Sequence, residues 1–165
     1  MYVHEKLQAL DTKVIVVQED GAYVGISASH VEAFAMPHFF AVTLVLDVTL
    51  CAPGRDALTW VLSDLHHWGT SLSRCIQGGR SPFAGVLVPP GEVRVCGVLE
   101  AVAEAVPVYL RRGWQPLPQS TTDVHSELVL LAKPIKCFQC RGTHEYASQT
   151  EFVDEVPPVW VHEMK

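Results

Sequence analysis

No run of about 18 apolar residues occurs anywhere in the 165-residue chain, which removes the usual signature of a membrane-spanning helix. Positive charge is also scarce. Twelve Lys and Arg stand against 18 Asp and Glu, a formal net charge of −6, so no general electrostatic pull toward phosphates exists and nucleic acid is not an expected partner. Only a local basic patch at Arg111 and Arg112 runs the other way. The opening Met1-Tyr2-Val3-His4-Glu5-Lys6 lacks the basic-then-apolar order of a signal peptide, so the expected location is the cytoplasm. Cysteines number five, an odd count. Cys51, Cys75 and Cys96 lie in apolar contexts where a free thiol acts as a small hydrophobe, which argues against a disulfide framework. There is no internal repeat and no low-complexity segment.

What is present is a globular composition, 48% hydrophobic and 18% charged, outside the disordered class. A chain this long buries about two thirds of its unfolded surface in one core, so neither staple nor oligomer is needed for folding. Val14-Ile15-Val16-Val17 and Tyr23-Val24-Gly25-Ile26 flank Asp20-Gly21, a pair that tolerates the positive φ of a tight hairpin. Phe39 to Leu50 is nearly continuous apolar sequence with β-branched enrichment, which reads as a central strand buried on both faces.

Pro53 and Gly54 stop that strand, and Asp56 is placed to cap a helix over about Asp56 to Arg74. Leu58, Val61, Leu62, Leu65, Trp68 and Leu72 form its apolar stripe, with Gly69 expected to weaken or end it. Gln77 to Pro82 reads as a loop, and Phe83 to Val88 and Glu92 to Cys96 as short strands. A second helix is expected from about Val98 to Arg112, kinked at Pro107 and ended by Gly113. After a loop over Gln115 to Asp123 comes a strand, Glu127 to Ala132. The order of elements fits an α/β fold, a mixed central sheet with flanking helices. The composition changes after Pro134, giving a domain over residues 1–134 and a C-terminal extension over 135–165 with a Cys/His cluster.

The segment Tyr109-Leu110-Arg111-Arg112-Gly113-Trp114, followed by Leu128-Val129-Leu130-Leu131-Ala132, resembles the end of a GNAT-family acyltransferase domain. The Asp20-Gly21 hairpin is similar to that family's second and third strands. The resemblance covers roughly Val14 to Pro134, with an N-terminus too short for the family's first strand and the two helices after it. It implies a divergent N-acyltransferase that moves an acetyl group from acetyl-CoA to the amine of a small molecule or protein. Tyr109 then matches the tyrosine that protonates the departing thiolate, and Asp47 and Glu32 are placed on or near the strands that supply the general base in the family. In the family a helix start holds the CoA pyrophosphate on its backbone N–H groups. Here the corresponding residues are Leu50, Gly54, Arg55 and Ala57, whose spacing departs from the family pattern; the same stretch also reads as an ordinary strand-to-helix turn capped by Asp56.

Cys137-x2-Cys140-x3-His144 offers two thiolates and an imidazole, with His162 as a fourth ligand, a set suited to tetrahedral zinc; the alternative is a pair of reduced, unligated cysteines. His66 and His67 point about 100° apart on a helix, and His30, His38 and His125 show no partner spacing. Residues 150–165 alternate bulky and acidic side chains and read either as an arm onto a neighbouring subunit or assembly partner, or as a segment returning to its own domain. The competing function is therefore a catalytically inactive GNAT-fold structural or interaction protein, such as a phage virion component, that assembles through this arm.

Overall fold

The computed structural model describes residues 12–51, 56–118, 128–147 and 161–163. Strands β1 (Thr12–Glu19), β2 (Ala22–Ala35) and β3 (Phe40–Cys51) lead into helix α1 (Ala57–Gln77), then β4 (Arg80–Ser81) and β5 (Gly91–Val102). A 3-10 turn at Ala103–Ala105 and helix α2 (Val106–Leu110) follow, then β6 (Gln115–Pro116), β7 (Leu128–Cys140), β8 (Glu145–Tyr146) and β9 (Val161–Glu163). Seven strands form one sheet in the order β6-β7-β5-β3-β2-β1-β9, and β4 pairs with β8 separately. The sheet is mixed: β3 and β5 run parallel around the α1 crossover, while β1 with β2, β2 with β3, and β5 with β7 are antiparallel. This is the α/β architecture expected from the element order.

Local chemistry explains most boundaries. Asp20 and Gly21 hold φ of 50° and 77°, both positive, as a two-residue hairpin turn that follows the strand twist requires. β3 is the central strand of the seven. Its Phe40, Val42, Leu44 and Leu46 are buried beneath α1, but Ala41, Thr43, Val45 and Asp47 on the opposite face are only half-buried, so the expectation of two buried faces is corrected. α1 lays Ala57, Val61, Leu65, Leu72 and Ile76 on the sheet, against a core that includes Ile15, Val17, Leu44, Val95, Leu99 and Leu131. Gly69 does not end the helix. A Cβ there would lie 2.6 Å from Ile135 Cδ1, so the glycine lets β7 approach the helix, a packing gain that offsets its weak helix propensity.

Four further expectations are corrected. The second helix does not begin at Val98; residues 91–102 are strand β5, because Val93, Val95, Gly97, Leu99 and Ala101 alternate inward with exposed Arg94 and Glu100. That period of two wins over the helical pattern because β3 and β7 supply ladders on both sides. Helix α2 is one turn long and holds Pro107 in its first turn, where a missing N–H costs nothing, so Pro107 starts the helix instead of kinking it. Phe83 to Val88 forms no strand; it turns at Ala84 and Gly85 and is tied by Thr143 N–H to Val88 O at 3.0 Å. The strand expected to end at Ala132 runs on through Pro134 to Cys140, absorbing the proline at a register shift opposite Val95 and Cys96.

Candidate active site at the parting of two parallel strands

The ladder between β3 and β5 runs from Phe40 opposite Val93 to Leu46 opposite Leu99 and stops there. Beyond it β3 stays with β2 as far as Cys51 opposite Gly25, and β5 stays with β7 as far as Val102 opposite Leu128. The two parallel strands therefore part, and main-chain groups of residues 47–51 that would face β5 have no ladder partner on it. A sheet opened in this way presents an extended ligand with hydrogen-bonding groups it can pair with.

Asp47 sits at the point of parting. The β2–β3 register jumps from Ala28 opposite Val48 to Ser29 opposite Leu46, which leaves Asp47 as the extra residue of a bulge. Its side chain is 8% exposed, and its Oδ2 lies 2.5 Å from His30 Nδ1. His30 Nε2 lies 2.9 Å from Glu32 Oε1. The three side chains form a chain of contacts that begins buried at the bulge and ends on Glu32, whose side chain is 45% exposed. Asp47 and Glu32 stand out in the sequence, whereas His30 does not. Its available signal was spacing: residues two apart on a strand share a face, and Glu32 is two residues beyond His30.

Tyr109, half-buried in α2, packs edge-on to Trp114 with ring centroids 6.2 Å apart. The helix ends as Gly113 suggested: φ there is 87°, Trp114 N–H returns to Tyr109 O at 3.1 Å and Gly113 N–H to Leu110 O at 3.1 Å. That closure swings Trp114 back onto the sheet, where it is 3% exposed. Gly97 makes the seat, since a Cβ on it would lie 2.8 Å from Trp114 Cη2. Burial pushes the Tyr109 phenol above its ordinary value, the nearby Cys51 thiol adds to this, and Arg112 opposes it. Burial also raises the Cys51 thiol.

Helix α1 begins at the far end of the opening. Gly25 brings it close, because a Cβ on Gly25 would lie 2.7 Å from that of Ala57. Ala57 is fully buried, so its side chain packs while any contact with a ligand falls to its backbone; Leu50 is exposed beside an open groove of ≈ 630 Å³ lined also by Val16, Ile26 and Cys51. Asp56 makes no side-chain capping bond, which corrects the expectation that it caps the helix, and no acidic residue lies in the first turn. The leading N–H groups of α1 are thus not consumed by Asp56. Arg112 reaches across to this turn, with Nη2 3.4 Å from Thr59 Oγ1 and Nη1 donating to Val108 O at 3.1 Å. Gly54 and Arg55 lie outside the described residues.

Acetyl-CoA fits the groups that are present. Among the described residues Trp114 Nε1, Ser27 Oγ and Thr49 Oγ1 are buried with no hydrogen-bond partner, and Ser27 faces Thr49 across the β2–β3 ladder beside the opening. Buried polar atoms without partners are uncommon in native folds and mark places where a ligand or water supplies the missing bond.

Zinc does not fit. Cys137 lies opposite Arg94 on β7, exposed, with its thiol donating to Glu92 Oε1 at 3.2 Å. Cys140 is buried, and its sulfur accepts from Gly142 N–H at 3.2 Å. Residues three apart on a strand project to opposite faces. His144 is exposed beyond the strand, and His162 pairs with Val17 at the other edge of the sheet, five strand spacings from β7 or roughly 24 Å. Among the described residues no group of three His, Cys, Asp or Glu is placed to hold a metal. His162 lies in β9, which pairs with β1 of its own chain, so this part of the C-terminal segment returns to its own sheet.

No protein-family model and no curated protein matches the chain. Solved structures do. An acetyltransferase of the GNAT family from Streptococcus pneumoniae matches at 11% identity and TM-score 0.41, covering 82% of this chain and 73% of that one. The chain is similar in fold to a GNAT-family acetyltransferase. A putative acyl-CoA N-acyltransferase from Klebsiella pneumoniae matches at 15% identity and TM-score 0.46, covering 82% and 83%. Arabidopsis thaliana Naa50, in complex with a bisubstrate analogue, matches at 10% identity and TM-score 0.44, covering 69% and 67%. The chain spans about three fifths of the length of the bacterial toxins it matches, 62% and 59%. Among the described residues no helix is long and apolar enough to cross a membrane.

Proposed function

We propose that the chain is a divergent GNAT-family N-acyltransferase that transfers an acetyl group from acetyl-CoA to an amine. The observation that carries this reading is the parting of β3 and β5 after Leu46 and Leu99, with the Asp47 carboxylate, its side chain 8% exposed, at the point of parting and Tyr109 near Cys51 at the end of β3. Acetyl-CoA, when bound, supplies an activated thioester. Main-chain groups of residues 48–51, beyond the end of the β5 ladder, with Thr49 Oγ1 and Trp114 Nε1, would hold its amide-bearing arm, and the first turn of α1 with Arg112 would receive its phosphates. Gly54 and Arg55, which precede α1 in the sequence, are further candidates for the phosphates.

Tyr109 serves as proton donor to the departing sulfur. A phenol is protonated at neutral pH, the form that can donate, and burial, which pushes the Tyr109 pKa up, reinforces that form. Asp47 places a carboxylate where β3 and β5 part, and the chain is acidic overall, so a cationic amine is drawn to it. Tyr109→Phe keeps the ring that packs on Trp114 and removes only the hydroxyl. Acetyl transfer from acetyl-CoA to a panel of primary amines should fall about 100-fold in kcat for this variant with KM little changed. Equal kcat in the two proteins would remove Tyr109 from the mechanism.

A further inference from the structure

The sheet has two unlike faces at the opening, and cross-strand register sorts the residues between them. Gly25 pairs with Val17 and with Cys51, and a Cβ on Gly25 would lie 2.7 Å from that of Ala57, so this row faces α1. Side chains alternate along a strand, and the adjoining row, Val16 with Ile26 with Leu50, therefore faces away from α1. His30, an even number of residues on from Ile26, shares that outer face and meets Asp47 Oδ2 at 2.5 Å, which puts the Asp47 carboxylate there too. The first turn of α1 and the Asp47 carboxylate thus belong to opposite faces.

The row of Val16, Ile26 and Leu50 walls an open groove of ≈ 630 Å³, a volume in the range of small-molecule sites, and no charged side chain lines it. Leu50 is 64% exposed, and Tyr23, on the same groove at the hairpin end, is 74% exposed. Large apolar surface is left in water beside an acidic site. Leu50 and Cys51 also belong to the stretch of β3 beyond its ladder with β5, so the groove borders the opening directly. Along that strand Leu50 is three steps from Asp47, roughly 10 Å at extended spacing.

We propose that the groove receives the apolar body of the acceptor, which makes the substrate class a primary amine carrying an uncharged aryl or branched alkyl group a few bonds from its nitrogen; this rests on the acetyl-transfer reading above. The nitrogen lies by Asp47, and the body runs along β3 onto Ile26, Leu50 and Tyr23. The groove selects in two ways. An apolar body removes the surface of Leu50 and Tyr23 from water. A second ammonium, as in a diamine, loses its hydration against uncharged walls with no partner there. The groove falls to the acceptor and not to the cofactor because its wall lies on the face away from α1, where the phosphates are received.

4-Phenylbutylamine and 1,4-diaminobutane share a spacer and differ at the far end, phenyl against ammonium. In acetyl transfer kcat/KM should be about tenfold or more higher for the phenyl compound. Ile26→Thr combined with Tyr23→Ser should cut that ratio about fivefold or more through the KM for the amine, with the KM for acetyl-CoA unchanged. The ratio compares two amines in one protein, so a variant that merely folds less well does not move it. Isoleucine-methyl NMR of the wild type needs neither a variant nor turnover: 4-phenylbutylamine should shift the Ile26 signal and 1,4-diaminobutane should not. Equal kcat/KM for the two amines, or an Ile26 signal unmoved at millimolar 4-phenylbutylamine, would overturn the proposal. So would a loss of acetyl-CoA affinity in the double variant, which gives the groove to the cofactor, or a wild-type dimer that the variant dissociates, which gives it to a second copy. Absence of acetyl-CoA binding would overturn the transfer reading and the acceptor role with it, while the Ile26 signal still reports separately whether the groove takes the amine.

Discussion

Gly97→Ala probes the seat of Trp114, against which Tyr109 packs. A methyl at this position would lie 2.8 Å from Trp114 Cη2 and 3.3 Å from Leu65 Cδ2, against the 3.5–4.0 Å or so at which carbon atoms attract. The indole cannot yield toward the sheet. It is 3% exposed and packed edge-on to Tyr109, so relief requires it to lift, carrying Tyr109 with it or displacing Leu65 from α1. Overpacking of this kind costs about 1–3 kcal/mol, while replacing glycine stiffens the unfolded chain and returns about 0.4–1 kcal/mol. The net loss of roughly 1–2 kcal/mol should lower Tm by roughly 2–8 °C for a chain of this size. Thermal unfolding followed by circular dichroism measures it. Trp114→Phe in the Gly97→Ala background should restore part of the loss beyond what the two single changes predict together, because the clash then has no partner. A Tm unchanged or raised in Gly97→Ala, or strictly additive behaviour in the pair, would refute the packing described here.

The remaining expectations concern charge. Lys13, 7% exposed, pairs with Asp64 at 2.5 Å and lies 5.5 Å from the centre of the Trp68 ring; Lys13→Met leaves a buried carboxylate alone and should cost about 3–5 kcal/mol, whereas Lys13→Met with Asp64→Leu should recover most of it, as chemical denaturation would show. Burial lowers the Lys13 pKa by more than Asp64 raises it. The unfolded chain then binds that proton more tightly, so the contribution of Lys13 to stability rises with pH from its depressed folded value up to the ordinary value of 10.5. Tyr109 acts oppositely. Its raised pKa makes a contribution that is fully present below the ordinary value of 10.0 and is lost as pH climbs through the folded value. Stability measured from pH 9 to 11 should therefore fall less steeply in Tyr109→Phe than in wild type, and equal slopes would contradict the burial of the phenol.

Short-range chemistry made much of the fold legible. Asp20-Gly21 announced its hairpin, the apolar run from Phe39 announced the central strand, and Gly113 announced the end of α2, because each depends on φ or on burial that neighbouring residues dictate. What failed depended on distant pairing. Val98 to Val102 reads as helix in isolation and becomes strand only because Leu128 to Ala132 lies beside it. Pro134 looked like a terminus, and the bulge that absorbs it is set by β5. The site shows the same division. Tyr109 and Asp47 stand out in the sequence as residue types, but the partner that joins Asp47 to Glu32 is His30, 17 residues away from Asp47 in sequence and brought there by strand register. The zinc cluster failed for the converse reason: Cys137 and Cys140 are close in sequence, and strand geometry turns them apart.

The central claim is that the opening between β3 and β5 receives acetyl-CoA. Isothermal titration of the protein with acetyl-CoA tests it most directly: the account predicts saturable binding that weakens at least tenfold in Arg112→Glu, where a carboxylate replaces the guanidinium beside the first turn of α1. No heat of binding at millimolar acetyl-CoA, or an affinity indifferent to Arg112→Glu, would contradict it.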